Sequence, residues 1–496
     1  MDAIQFTRPE SVGVSPAWVT DFVRALNRRG EMHHSFLMMR HGRVFAEGYW
    51  APFTASSKHR MYSVSKTFTS AAIGCLVDEG KLRLTDKIVD YFPDQLPAQR
   101  DPYLAETTIR DLLMMSTPYP TGATYTQPGV DRMNWLHSFF HPTIAPDHPA
   151  GTLFHYDTSA TYVLDVLVER LTGKPFLDYL KDKMLRELGF SEDAWCVRAP
   201  EGHSWGGSGV ICTTRDLARF ARVFLGAGCV DGVRYLSESY ARAATSRQID
   251  NCTDGHPDGL HGHGYGYQIW CTADGTFSFL GMGGQLAICD PAHDFLFVCT
   301  SDTQGAPAGY AYIYDYLRFY VLDRLQSDAL PRDDAAYNEL QSLLSGLKIA
   351  LPAGESSSEF ASQVDGVRYR LNPNPMGIRA FVLHFDGDGG ALVLDTDRGE
   401  KRFPFGLGQY VEAEFPETQY SGASINHPLG RGYRCLNAAV WREPHKLFLR
   451  SFVADDYFGN LAVTISFKGD AVAVRMEKTA EWFMDEYSGF AGGVRG

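Results

Sequence analysis

The chain has 496 residues, too many for one ordinary hydrophobic core, so two domains are expected. Apolar residues make up 44% and charged residues 21%, the balance of a folded chain and not of a disordered one. A net charge of −13, with no lysine- or arginine-rich block, excludes a phosphate-tracking surface and with it nucleic acid as a partner.

In chain order, the N-terminal part alternates short strands with helices. A hairpin is expected at 35–50, with strands Phe36–Arg40 and Val44–Tyr49 joined at His41–Gly42. Met61–Val77 reads as a long helix of small and apolar residues closed by Gly80. Further helices are expected near 107–115, 159–172, 176–188 and 213–226, the last opened by a capping-box pattern at Thr213 and Asp216. Segments 265–271, 276–289 and 295–301 read as strands returning to the sheet that the hairpin began. Strands at both ends with helices between them define an α+β class, a helical cluster on an antiparallel sheet.

Composition shifts after about residue 325, and 331–360 reads as a linker, most plainly at Pro352, Gly354 and Ser356–Ser358. Beyond it, alternating patterns at 367–371, 380–385, 391–396, 435–442, 446–453, 461–467 and 470–477 predict a C-terminal antiparallel β barrel or sandwich, lipocalin-like, over 361–496. The catalytic part is then 1–330.

Localisation follows from what the sequence does not carry. MDAIQFTRPE has neither the basic start nor the apolar core of a secretory signal, and no apolar run approaches the roughly 18 residues a bilayer crossing needs. The nine cysteines (75, 196, 212, 229, 252, 271, 289, 299 and 435) are odd in number, scattered, and form no C-x-x-C pair. Free thiols in a reducing compartment explain them better than a disulfide frame or a zinc site, so a cytoplasmic protein without a membrane partner is expected.

The sharpest chemical signal is Ser63-Val64-Ser65-Lys66 at the start of the 61–77 helix. Residues three apart share a helix face, so the hydroxyl and the amine can meet. A serine hydroxyl is a weak nucleophile until a base takes its proton, and lysine serves as that base once burial at a helix N-terminus lowers its pKa. The same helix start turns the Ser63 N–H outward, where it can hold an oxyanion. An S-x-x-K arises by chance about once in a chain this long, so the pair needs company.

That company is an ordered set of stretches. Met61 to Ser70 resembles the nucleophile helix of class C β-lactamases, family VIII esterases and penicillin-binding proteins. Leu84-Thr85-Asp86-Lys87, Thr108 to Leu113, Phe154-His155-Tyr156-Asp157-Thr158 with Tyr162, Gly206-Gly207-Ser208-Gly209, and Gly281-Met282-Gly283-Gly284-Gln285 are similar to that family's segments in the same order, over about residues 8–325. The resemblance implies the β-lactamase/transpeptidase-like fold, with Tyr156 beside Ser63 and Lys66 as a proton relay. It places Thr158 and Gly281 at the substrate, the N–H of Met282 as a second oxyanion donor, and Trp205 beside the glycine turn as a binding candidate.

Two departures stand out. Thr158 stands where the family has asparagine or serine, and Phe279 where lactamases carry the cation that grips a substrate carboxylate. An efficient β-lactamase is therefore not expected. The run His256 to His263 suggests a metal, but its glycines favour a mobile loop with His261 or His263 near the pocket. No metal or cofactor is expected. The expected function is a serine hydrolase working through an acyl-enzyme on a small ester or amide, esters favoured. The alternatives on the same scaffold are a D-amino-acid peptidase, an oligoamide hydrolase, a weak β-lactamase and a non-catalytic ligand-binding relative; the β domain leaves room for a homo-oligomer.

Overall fold

The computed structural model describes residues 4–252, 255, 257–306, 309–417, 432–455, 458–479 and 486–496. The chain divides into two compact units, Met1–Ile349 and Ala350–Gly496.

The first unit is built on a six-stranded antiparallel sheet. Its hairpin, β1 (Met32–Arg40) and β2 (Arg43–Tyr49), is completed by strands from 200 residues later in the chain: β3 (Trp270–Cys271), β4 (Phe277–Gly281), β5 (Gln285–Asp290) and β6 (Phe295–Asp302). The order is β2-β1-β6-β5-β4-β3, with Phe36 opposite Cys299 and Ala287 opposite Phe279. The stretch 276–289, expected as one strand, is two. Gly283 and Gly284 take φ of 76° and 87°, a conformation that ends a strand and turns the chain back.

Helix α1 (Pro16–Arg29) is capped by the Ser15 side chain and closed by Gly30. Helix α2 (Ser65–Asp78) is buried from Ser65 to Leu76, a depth its run of Ser, Thr, Ala and Gly side chains permits. Helix α3 (Thr158–Thr172) follows an Asp157 cap, and α4 (Thr214–Leu225) opens with the expected capping box of Thr213 and Asp216. After the sheet come α5 (Ala311–Tyr320) and α6 (Asp334–Ser345). The latter lies inside 331–360, the stretch expected as a linker. It buries Leu340, and its Glu339 pairs with Arg24 of α1 at 2.7 Å. A turn-and-serine composition beyond 350 masked one helical period before it.

The second unit is a closed barrel. Its strands are β7 (Arg368–Leu371), β8 (Ile378–Asp386), β9 (Gly389–Thr396), β10 (Gly399–Leu407), β11 (Val411–Phe415), β12 (Tyr433–Glu443), β13 (Lys446–Ala454), β14 (Phe458–Lys468), β15 (Ala471–Thr479) and β16 (Gly489–Arg495). They run β10-β9-β8-β7-β16-β15-β14-β13-β12-β11, and a parallel contact of Gly406–Leu407 with Ala438–Ala439 joins β10 to β12. Val472, Val474 and Met476 alternate inward along β15, as a barrel wall requires.

Among the described residues no helix is long and apolar enough to cross a membrane. All nine cysteines are free thiols, six of them buried.

Three histidines lie buried in the first unit. His34 of β1 stacks on Phe53 at 4.0 Å and on His59 at 5.1 Å, and His33 meets the Tyr312 hydroxyl at 3.2 Å. Burial, reinforced by the Arg29 charge, pushes His33 down to about 3; burial and the neighbouring imidazoles push His34 well below the ordinary histidine range. These rings stay neutral when folded and take protons when unfolded. Stability is therefore full above pH ~6.5 and falls below it, by about 1.4 kcal/mol per pH unit for each ring. Urea titrations at pH 7 and pH 5 are expected to show that loss, and His34→Gln to flatten it. An unchanged slope in the variant would clear His34 of the effect.

Candidate active site

Ser63 sits in a single 3₁₀ turn, Tyr62–Val64, that leads into α2. Tyr62 takes φ of 47°, a left-handed conformation that costs a bulky residue energy and survives only where its surroundings impose it. Here the surroundings are specific. The Met61 N–H donates to Val210 O at 2.8 Å, and the Val210 N–H donates to Ser65 Oγ at 3.0 Å. Arg60 is fully buried, donates to Ser208 O and Ser208 Oγ at 2.9 Å each, and lies with its guanidinium over the rings of Tyr62 and Trp205. The arginine thus ties the nucleophile turn to the glycine turn 206–209. Nothing in its spacing from S-x-x-K announces it; its buried charge is visible only once folded.

Lys66 is 1% exposed, and its Nζ donates to Ser63 Oγ at 3.0 Å and to Gly207 O at 2.7 Å. The same nitrogen lies 4.9 Å from the centroid of the Tyr156 ring. Tyr156 precedes the Asp157 cap of α3, whose carboxylate accepts from Ser159 N at 2.8 Å and from Thr117 Oγ1 at 3.0 Å. Half-buried, the ring stacks on Trp270 at 5.5 Å and meets Tyr265 edge-on. Burial pushes the phenol's titration well up, a hydrogen bond with Ser63 opposes that, and Tyr310 adds to it. That direction favours a neutral phenol at rest, consistent with a group that relays a proton.

Ser63, Lys66 and Tyr156 are therefore gathered at one point. Gly281 ends β4 directly against them: a Cβ there would fall 2.4 Å from Met61 O. Met282 follows, half-buried, and its N–H donates to no backbone carbonyl among the described residues. Thr158 opens α3 with its methyl toward Gly207, where an added Cβ would come within 2.7 Å. Trp205 lies beneath the glycine turn, 1% exposed, its ring 5.1 Å from Trp135. It supports Gly207 and offers no open face to a substrate. Phe279 packs its ring among Phe220, Phe224 and Phe277, an apolar layer against α4 where no cation would be stable.

Outward from Tyr156 stands an aromatic wall that spacing did not reveal. Trp270 is half-buried and edge-on to both Tyr265 and His261, each at 5.1 Å. His261 pairs with Asp258 at 3.0 Å, and His263 Nε2 contacts Asp258 O at 2.7 Å. His261 is thus one ring removed from the phenol, while His256 lies outside the described residues. Among the described residues no cluster of three metal-ligating side chains forms.

A buried lysine on a helical serine, a phenol beside both, and a sheet strand closing the third side define a serine hydrolase of the β-lactamase-like class. The chain belongs to the Beta-lactamase family, whose sequence profile matches residues 21–322. It is 28% identical over 286 residues to the 6-aminohexanoate-dimer hydrolase of Paenarthrobacter ureafaciens, covering 53% of this chain and 71% of that one. It is also 28% identical over 256 residues to penicillin-binding protein 4 of Amycolatopsis lactamdurans, 46% of this chain and 66% of that one. A family VIII carboxylesterase structure superposes with a TM-score of 0.52 at 15% identity, over 65% of this chain and 99% of its own.

Gly281→Ala is expected to drive a methyl into Met61 O, displace the nucleophile turn and lower stability by about 1–3 kcal/mol. Thermal melting together with the rate of covalent labelling at Ser63 measures both effects. A variant that melts and labels like the natural chain would show that the strand end does not brace the turn.

Proposed function

We propose that the chain hydrolyses small esters or amides through an acyl-enzyme on Ser63. The observation that carries this is the Lys66 Nζ, buried and 3.0 Å from Ser63 Oγ, with Tyr156 against both. Neutral Lys66 accepts the hydroxyl proton as Oγ attacks the carbonyl. The N–H groups of Ser63 and Met282 receive the developing oxyanion; the first belongs to a helical first turn, where no intrahelical acceptor exists. Tyr156, a neutral phenol reaching Ser63, passes the proton to the leaving group and later helps to deprotonate the water that frees the acyl group.

Esters are the favoured substrates, because an alkoxide leaves with less help than an amine. The likeness to a 6-aminohexanoate-dimer hydrolase supports a second reading, a linear amide. The apolar packing at Phe279 leaves no cation there for a penicillin carboxylate, which weighs against an efficient lactamase. We assign catalysis to residues 1–330, with 361–496 as an accessory β domain and Thr158 at the rim of the substrate site. Nine free thiols suit a reducing cytoplasm, and a homo-oligomer through the β domain is compatible with both units.

Ser63→Ala is expected to lose at least about 10³-fold in turnover of a short-chain nitrophenyl ester while melting as the natural chain does. A panel with a linear oligoamide, a D-amino amide and nitrocefin ranks the alternatives. Undiminished ester hydrolysis in the alanine variant would refute the assignment.

A further inference from the structure

The Gly207 carbonyl accepts from Lys66 Nζ at 2.7 Å, and the structure shows what holds that carbonyl in place. One face of α3 grips the segment 201–207 at successive turns. Tyr162 donates to Glu201 at 2.5 Å, and Glu169 accepts from His203 Nδ1 at 2.7 Å and from the Ser204 N–H at 3.1 Å. Between them Asp165 Oδ2 accepts from the Gly206 N–H at 3.0 Å. Two peptides along, the Gly207 oxygen accepts from Lys66.

Asp165 is an unusual group to find there. It is fully buried, its Oδ1 has no hydrogen-bond partner, and no Lys or Arg ion-pairs with it among the described residues. Gly206 is wedged tightly against it: an added Cβ would lie 3.0 Å from the Asp165 carboxyl carbon and 2.4 Å from Thr69 Oγ1. Thr69 stands one helical turn beyond Lys66 on α2, and its hydroxyl is also buried and unpartnered. A packing role alone is better filled by leucine, since a buried polar atom left unsatisfied costs about 1–3 kcal/mol. Burial, with the nearby Glu169 charge, pushes the titration of the Asp165 carboxyl well above the ordinary aspartate range; the Gly206 N–H and Arg198 oppose this.

We propose that Asp165 is a positioning residue of the reaction, its carboxyl holding the Gly206 amide so that the Gly207 carbonyl stays aimed at Lys66. The chain of contacts runs from Asp165 Oδ2 to Gly206 N, along two peptides to Gly207 O, to Lys66 Nζ and to Ser63 Oγ. It rests on the hydrolase reading above. The titratable and charged groups that face Asp165 are Tyr162 and Glu169 on α3 itself and Cys196 and Arg198 ahead of the gripped segment; Lys66 and Tyr156 lie beyond Gly207, on the cleft side. Loss of the carbonyl acceptor would disfavour the ammonium form of Lys66 and lower its titration. Misaiming the base by about 1 Å costs on the order of 10²-fold in rate.

The test is the rate of Ser63 acylation by a fluorophosphonate across pH, read by intact mass, which needs no knowledge of the natural substrate. Asp165→Asn keeps an acceptor for the Gly206 N–H, and is expected to label within about threefold of the natural chain with the same acid limb. Asp165→Ala loses the acceptor without adding bulk against Gly206, and Asp165→Leu loses it while restoring an apolar filling; both are expected to label at least about tenfold more slowly, with the acid limb moved to lower pH. If Asp165→Leu does not fold, Asp165→Ala carries the test. Glu169→Gln, which weakens the 203–204 contact and removes a charge near Asp165 but leaves the Asp165–Gly206 contact in place, is expected to keep the natural limb. The inference is overturned if Asp165→Leu labels at the natural rate with the natural limb, or if Asn and Leu lose rate equally. A natural chain that takes no label at Ser63 overturns the hydrolase reading and this inference with it.

Discussion

The constraint on which the first unit turns is a lysine nitrogen placed almost wholly out of water. An ammonium in that position costs several kcal/mol unless acceptors replace its hydration. Gly207 O and Ser63 Oγ stand within 3.0 Å of Lys66 Nζ, and the fold brings both there by different routes. The serine comes from a strained turn held by Val210 and by the buried Arg60. The carbonyl comes from a segment that α3 grips at 162, 165 and 169, positions on one helical face. The small residues of α2 let these parts close around the base, and the last glycine of β4 lets the sheet abut the same turn.

Proton transfer follows from that dry setting. Burial favours the neutral phenol form of Tyr156 at rest. In the proposed reaction the phenol relays the proton and the lysine is the group whose charge changes. A carbonyl favours the ammonium form, a hydroxyl takes either role, and the balance between them sets the base strength. The aromatic wall of Trp270, Tyr265 and His261 flanks the phenol.

The β unit solves a different problem. Nine strands in a ring, closed by the contact of β10 with β12, leave few unpaired edges to recruit another chain. Its inward alternation along β14 and β15 fills the ring with Leu461, Val463, Ile465, Val472, Val474 and Met476.

Much of this was readable from the sequence because it is local. S-x-x-K places an alcohol and an amine on one helical face whatever surrounds them, the capping box of α4 is a four-residue pattern, and period-two alternation marks barrel strands one at a time. The α+β class followed from the order of those local patterns. What only the tertiary structure decided is non-local or hinges on burial. The Met282–Gly284 turn splits an apparent strand. A helix occupies the expected linker because Leu340 and Glu339 find partners on other elements. Arg60 and Asp165 read as ordinary surface charges until folding removes water from them, and Trp205, promising beside a glycine turn, is buried beneath it. Spacing along a chain carries the identity and periodicity of side chains; it does not carry dielectric, and the loss of water around Lys66, Asp165 and Tyr156 is decided only by the fold.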